Sequence, residues 1–141
     1  MCSSDLKAQQ ALGWLNKAKG DTLLREYVLF WTAQANRALK HNAEALADLN
    51  LLHRDFPNAA IREQVIDILA ATTTETGHAQ DAIAALDSYS GTTNKPALLL
   101  DRAHAYQAAG QTVRAAKDYQ VMYYKYPLSD EAKAEIGRAH V

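Results

Sequence analysis

Apolar residues recur in this chain at the spacing i, i+4, i+7, which places them on one face of an α-helix. The pattern occurs three times, at Ala45, Leu49 and Leu52, at Ala82, Leu86 and Tyr89, and at Ala115, Tyr119 and Met122. Each copy lies five residues after a position that is suited to end a helix, namely Lys40, Gly77 and Gly110. The pattern therefore predicts helices that begin shortly before each small residue.

The rest of the chain also reads as helix, because alanine is abundant and runs of β-branched residues are few. We predict helices over residues 8–19, 21–39, 43–55, 59–75, 79–89, 96–109 and 112–124, with a last helix beginning at residue 129. Asp21 and Ser129 are candidate N-caps. The polar segment 88–95, which contains Gly91, is the one predicted loop and reads as a plain connector.

The spacing of the small residues resembles the tetratricopeptide repeat, a pair of helices, A and B, of about 34 residues. Ala45, Ala82 and Ala115 are 37 and 33 residues apart, and helix A carries a small residue at Ala33, Ala70 and Ala103. Small side chains let the two helices approach closely where they cross. The sequence predicts an all-α fold, an α-solenoid of about three such hairpins with flanking helices, forming one domain over residues 7–135.

Two aromatic–proline segments mark the ends of predicted B helices. "HRDFPN" contains Pro57 and "YYKYPLSDEA" contains Pro127, and proline cannot continue a helix. We expect two of the tyrosines 123, 124 and 126 to wedge in front of the next A helix with their hydroxyls in water. A binding role for these tyrosines remains an alternative.

Composition narrows the classes of function. The formal net charge is −1, which argues against a nucleic-acid partner because phosphate binding needs clustered Lys and Arg. No segment reaches the roughly 18 apolar residues of a membrane span, and the N-terminus lacks a signal peptide. Cys2 is the single cysteine, so no internal disulfide is expected.

Both ends of the chain look foreign. "MCSSDL" and "IGRAH" can both be encoded by one nucleotide string read on opposite strands, and that string resembles a sequencing adapter. We therefore expect residues 1–6 and 136–141 to be adapter-derived artefacts and the natural protein to be longer. On this interpretation the missing signal peptide carries no information about the compartment.

The sequence offers no pattern typical of a catalytic or metal site. No two of the five histidines stand at i, i+4, and His41 and His78 read as surface residues at helix ends. GxSxG, P-loop and GxGxxG motifs are missing, and the carboxylates are scattered singly. We expect this segment to have no enzymatic activity, no cofactor and no metal.

Three segments carry a resemblance to a known family. "REYVLFWTAQANRAL", "EALADLNLLHRDFPNAAIREQVIDILA" and "YQVMYYKYPLSDEA" resemble the N-terminal helical region of bacterial soluble lytic murein transglycosylases, over about residues 12–135. In that family an α-superhelix precedes a lysozyme-like domain that cleaves peptidoglycan with a glutamate of a Glu-Ser signature. This chain has no Glu-Ser dipeptide, so no catalytic residue is carried over. The resemblance implies a periplasmic parent and a scaffold role.

Two hypotheses follow. The first is a non-catalytic scaffold or docking segment of a lytic transglycosylase, with peptidoglycan or an envelope protein as its partner. The second is a tetratricopeptide-type adaptor of the bacterial envelope that binds a peptide in its concave groove. Helix A residues line the inner face of such repeats, so the predicted binding residues are Phe30, Gln34, Arg37, Asp67, Thr74, His104 and Gln107. The sequence gives no expectation for the oligomeric state.

Overall fold

The computed structural model describes residues 3–20 and 24–139, and over these residues the chain contains helices and no strand. The α-helices are α1 (Ser3–Ala18), α2 (Arg25–Ala38), α3 (Asn42–Asp55), α4 (Arg62–Glu75), α5 (Ala79–Ser88), α6 (Pro96–Ala108), α7 (Thr112–Lys125) and α8 (Asp130–Ala139), with a short 3₁₀ helix at Thr92–Asn94. The predicted all-α class is confirmed.

The chain divides into two compact units, Met1–Thr72 and Thr73–Val141. In the first unit, α2 and α3 form a helical hairpin, and α1 packs against α2. Ala33 of α2 and Ala45 of α3 are both fully buried, as expected for small residues where paired helices approach closely. Larger apolar side chains fill the core around them, among them Phe30, Leu49, Leu52, Val65 and Leu69.

In the second unit, α6 is the central helix, since it contacts α5, α7, α8 and the 3₁₀ helix. Leu98 and Leu99 near its N-terminus and Ala103 in its middle are fully buried. The α6–α7 hairpin repeats the arrangement of α2–α3, with Ala103 and Ala115 as its small residues. Each unit therefore contains one hairpin of the predicted kind.

The three predicted helix ends share one turn geometry. Lys40, Gly77 and Gly110 all have positive φ, at 63°, 87° and 74°. The residue after each donates its N–H to a carbonyl five residues back, as in His41 to Asn36, which is the Schellman way to satisfy the last carbonyls of a helix. His78 to Thr73 and Gln111 to Tyr106 are the other two such bonds, at 3.0 and 2.8 Å. The same turn therefore follows α2, α4 and α6.

Several predicted boundaries differ from the structure. Residues 59–61 form a turn before α4, because the Arg62 N–H bonds to the Ala59 carbonyl at 3.0 Å. The predicted loop 88–95 contains the 3₁₀ helix, which is fixed by a 2.6 Å bond from the Thr92 hydroxyl to the Leu86 carbonyl. Asp21, the predicted N-cap of the second helix, lies outside the described residues.

The start of the last helix agrees with prediction. α8 begins at Asp130, and the Ser129 hydroxyl oxygen accepts the Ala132 N–H at 3.1 Å, which makes Ser129 the N-cap.

The tyrosines of the α7–α8 junction are placed differently from expectation. Tyr123 and Tyr124 are exposed, at 54% and 77%, and their rings form an edge-to-face pair at 5.3 Å. Only Tyr126, at the C-cap of α7, is half-buried. The prediction that two tyrosines wedge before the next helix is therefore wrong, because Tyr123 and Tyr124 stay largely exposed at the surface between α7 and α8 instead of packing into it.

The chain ends continue regular helices. Residues 3–6 form the start of α1 and residues 136–139 the end of α8, while Leu6 and Ile136 are both exposed. The origin of residues 1–6 and 136–141 in a sequencing adapter stays a prediction.

Candidate functional site

The first unit carries a groove between α2 and α4 of about 350 Å³, here called the α2–α4 groove. It brings together three of the residues predicted from the sequence. Its lining residues are Tyr27, Phe30, Trp31, Gln34, Ile61, Gln64, Asp67 and Ile68. The two helices present these side chains because the positions recur at three- and four-residue intervals, which place them on one face of each helix.

Aromatic rings form the α2 wall of the groove. Trp31 is 54% exposed and Tyr27 is also exposed, whereas Phe30 belongs to the buried core. The Phe30 and Trp31 rings meet edge to face, with centroids 5.4 Å apart and planes at 71°. The buried Phe30 ring therefore packs against the Trp31 indole and is not itself part of the exposed surface. Trp31 and Tyr27 were not among the predicted binding residues, although their i, i+4 spacing was visible in "REYVLFWTAQ".

Polar groups form the rest of the groove. Gln34 is half-buried on α2, Gln64 is exposed on α4, and Asp67 is half-buried on α4. Among the described residues that line the groove, Asp67 is the one carboxylate and none is a lysine or an arginine. Among the residues that the structure describes, the Asp67 carboxylate has no ion pair and no hydrogen bond. The groove thus combines open ring surface with two amides and an unpaired acid.

A second groove lies on the other side of Trp31, between α1 and α2, with a volume of about 500 Å³. Trp31 and Gln34 line both grooves, and Trp14, which is 71% exposed, stands on the α1 side. The ammonium of Lys17 lies 4.7 Å from the centre of the Trp14 ring, which is a cation–π contact. Both tryptophans of the chain therefore belong to one exposed surface of the first unit.

The other predicted residues do not join the α2–α4 groove. Arg37 lies in the last turn of α2, one turn beyond Gln34, and is not part of the lining. Thr74 lies in the last turn of α4, in the second unit. Its hydroxyl oxygen is buried and has no hydrogen-bond partner among the described residues. The single inner face predicted for all seven residues stays a prediction, since the groove collects only Phe30, Gln34 and Asp67.

His104 and Gln107 take part in a side-chain network of the second unit. The His104 Nε2 lies 3.3 Å from a carboxylate oxygen of Glu135, and its ring meets the Tyr119 ring edge to face. The Tyr119 hydroxyl donates to the Gln107 side-chain oxygen at 3.2 Å. Burial, reinforced by the Glu135 charge, raises the pKa of Tyr119.

This network borders a groove between α7 and α8, here called the α7–α8 groove, with a volume of about 520 Å³. It is lined by Gln107, Ala116, Tyr119, Gln120, Met122, Tyr123, Tyr124, Ala132, Glu135 and Ile136.

A buried ion cluster in the second unit was not anticipated from the sequence. Arg102 on α6 donates hydrogen bonds to both oxygens of Asp118 on α7, at 2.7 and 2.8 Å, and to Asp87 at 3.0 Å. The hydrogen bond to Asp118 is the main cause that raises the pKa of Arg102, against the opposing effect of burial. Asp87 and Asp118, which the sequence shows only as isolated acids, share one guanidinium. That pairing joins α5, α6 and α7.

Over residues 3–20 and 24–139, no group of three or more His, Cys, Asp and Glu side chains could hold a metal ion. No helix in the described part of the chain is long and apolar enough to cross a membrane.

Comparison with protein-family models, with curated proteins and with solved structures finds no match to this chain.

Proposed function

We propose that this chain is a non-catalytic helical-repeat segment that docks a periplasmic enzyme of the lytic murein transglycosylase type on peptidoglycan. The observation that carries the proposal is the α2–α4 groove, where exposed Trp31 and Tyr27 stand beside Gln34, Gln64 and Asp67. Ring faces and polar groups in one concavity suit a ligand that is polar at its edges and apolar on its faces. The resemblance of the repeat segments to that enzyme family supplies the biological setting.

The size of the groove fits a short piece of polymer. Its volume of about 350 Å³ lies at the lower end of the range for small-molecule sites, roughly 300–1,000 Å³. One saccharide unit or a short stretch of stem peptide fills such a space. The adjoining α1–α2 groove shares Trp31 and Gln34 and gives a longer chain room to continue.

Titration of the chain with soluble muropeptides, followed by NMR of the backbone amides, tests the docking role. We expect shifts that are confined to the lining of the α2–α4 and α1–α2 grooves and that disappear in Trp31→Ala. Tyr124→Ala, which removes an exposed ring from the second unit, serves as the matched control and should leave the shifts unchanged. The docking role is wrong if no shifts occur at millimolar ligand, or if they lie only on α3.

We also propose that the segment does not cleave glycan. Incubation with purified peptidoglycan should release no more soluble fragments than a buffer blank. Release above that level would show a catalytic group that the proposal denies.

A peptide-binding envelope adaptor is the second candidate, and the α7–α8 groove favours it. That groove is larger than the α2–α4 groove, at about 520 Å³ against about 350 Å³, and Met122 and the Tyr123–Tyr124 ring pair line it. Reading the source gene beyond the codon for Glu135 separates the two candidates. A lysozyme-like domain with a Glu-Ser signature supports the docking segment, whereas a stop codon or further repeats support the adaptor.

A further inference from the structure

We propose that the α2–α4 groove recognises a primary ammonium group on a peptide, held between the Trp31 ring and the Asp67 carboxylate. The inference rests on the proposed docking role of this groove and names the chemical group that it selects.

The charge of the groove gives the first argument. Two of the other shielded acids have a cation at hand, as Asp118 has Arg102 and Glu135 has His104 and Arg138. Asp67 has no such partner among the described residues, and its groove is lined by no basic side chain. A half-buried carboxylate is partly withdrawn from water, so a ligand that supplies a charged donor gains a strong hydrogen bond there.

The exposed indole gives the second argument. Tryptophan is the aromatic side chain that attracts cations best, and the Trp31 ring is more than half exposed at the groove wall. The chain itself places an ammonium over its other tryptophan, where Lys17 lies 4.7 Å from the Trp14 ring centre. Within the described residues no cation lies over Trp31. Its position is therefore open to an ammonium from a ligand.

The two amides indicate that the ammonium is carried by a peptide. Gln34 and Gln64 each offer a donor and an acceptor, which suits the alternating N–H and C=O groups of a backbone. A small free cation would need only the acid and the ring. A neutral glycan would use the ring and the amides and leave Asp67 unpaired, so the two ligands are distinguished by their dependence on Asp67.

The experiment uses Trp14→Phe as the background, which leaves Trp31 as the single indole of the chain. Its fluorescence is titrated with an end-blocked Gly-Lys-Gly peptide and with the same peptide acetylated at the lysine amine. We expect the acetylated peptide to bind about tenfold more weakly, because it lacks the charge that both Asp67 and the ring attract. Added salt should weaken binding of the free amine, since part of the attraction is screened.

One variant and its control test whether the ammonium binds at Asp67. Asp67→Asn should weaken binding of the free amine by about tenfold and leave the acetylated peptide unaffected. Glu44→Gln removes the same charge from an exposed site on α3, outside the groove, and should change neither affinity. Circular dichroism of each variant confirms that the helices are retained.

Equal affinity for the two peptides, or equal effects of Asp67→Asn and Glu44→Gln, would overturn the inference. So would binding of a neutral N-acetylglucosamine oligomer that is stronger than binding of the lysine peptide. The docking role fails separately. If muropeptides cause no NMR shifts while the lysine peptide binds, peptidoglycan docking is wrong and ammonium recognition stands. If muropeptides bind and acetylation has no effect, only the ammonium inference is wrong.

Discussion

Arg102 and Asp118 form a doubly hydrogen-bonded ion pair between α6 and α7, with both side chains largely shielded from water. The planar guanidinium matches the two carboxylate oxygens, which is the geometry that makes such pairs strong. Tyr106 lies next to the pair, because both Arg102 and Arg114 stand about 6 Å from its ring centre. Together with the Arg102–Asp87 bond, this cluster links α5, α6 and α7 of the second unit.

Removing one member of the cluster should destabilise the second unit. Asp118→Asn leaves a shielded guanidinium with only the half-exposed Asp87, so we expect the free energy of unfolding to fall by about 2–4 kcal/mol. Asp87→Asn removes the more exposed partner and should cost less than about 1 kcal/mol. Urea denaturation measures both values. Equal losses would mean that the bidentate pair carries no special stability.

Much of the fold was predictable because it depends on local spacing. The alanines of the i, i+4, i+7 pattern are buried, and the three helix-ending positions have positive φ. The Arg102–Asp118 pair was not predictable, since its members are 16 residues apart on different helices and no periodicity encodes which charges face each other. The groove was partly predictable, because part of its lining follows from helical spacing. Helical spacing indicated that Gln34 and Asp67 lie on exposed helix faces, and both line the groove, but it did not show that Phe30 would be buried in contact with Trp31.

Gly110 and Gly13 should respond oppositely to alanine. Gly110 has φ of 74° and open space around an added Cβ, so the cost of Gly110→Ala comes from the backbone alone and should be about 1 kcal/mol. Gly13 lies inside α1, also with open space, so Gly13→Ala should stabilise by up to about 1 kcal/mol through helix propensity. Thermal denaturation followed by circular dichroism checks both signs. A stabilising Gly110→Ala would contradict the assigned left-handed turn.

The two chain ends should contribute little to stability. Leu6 and Ile136 are exposed, so removing residues 1–6 and 136–141 should shift the thermal midpoint by less than about 4 °C, which corresponds to about 1 kcal/mol. Removing residues 130–141 is the control, because it takes away the buried Ala132 together with the hydrogen bond from its N–H to the Ser129 hydroxyl oxygen. That deletion should cost more. A large loss from the shorter deletion would show that the ends belong to the packed structure.

Ala82 and Ala84 test the repeat pattern within a single helix. Both lie on α5, but Ala82 is 1% exposed whereas Ala84 faces solvent. Leucine at position 82 adds three carbon atoms where neighbouring side chains leave no room, so Ala82→Leu should lower the free energy of unfolding by roughly 1–3 kcal/mol. Leucine at position 84 meets only water, and its helix propensity is close to that of alanine, so Ala84→Leu should change the free energy of unfolding by less than about 0.5 kcal/mol.

Urea denaturation of the two variants gives the difference directly. Similar losses at both positions would mean that Ala82 is not the counterpart of Ala45 and Ala115, and the repeat would then be a feature of two hairpins rather than three.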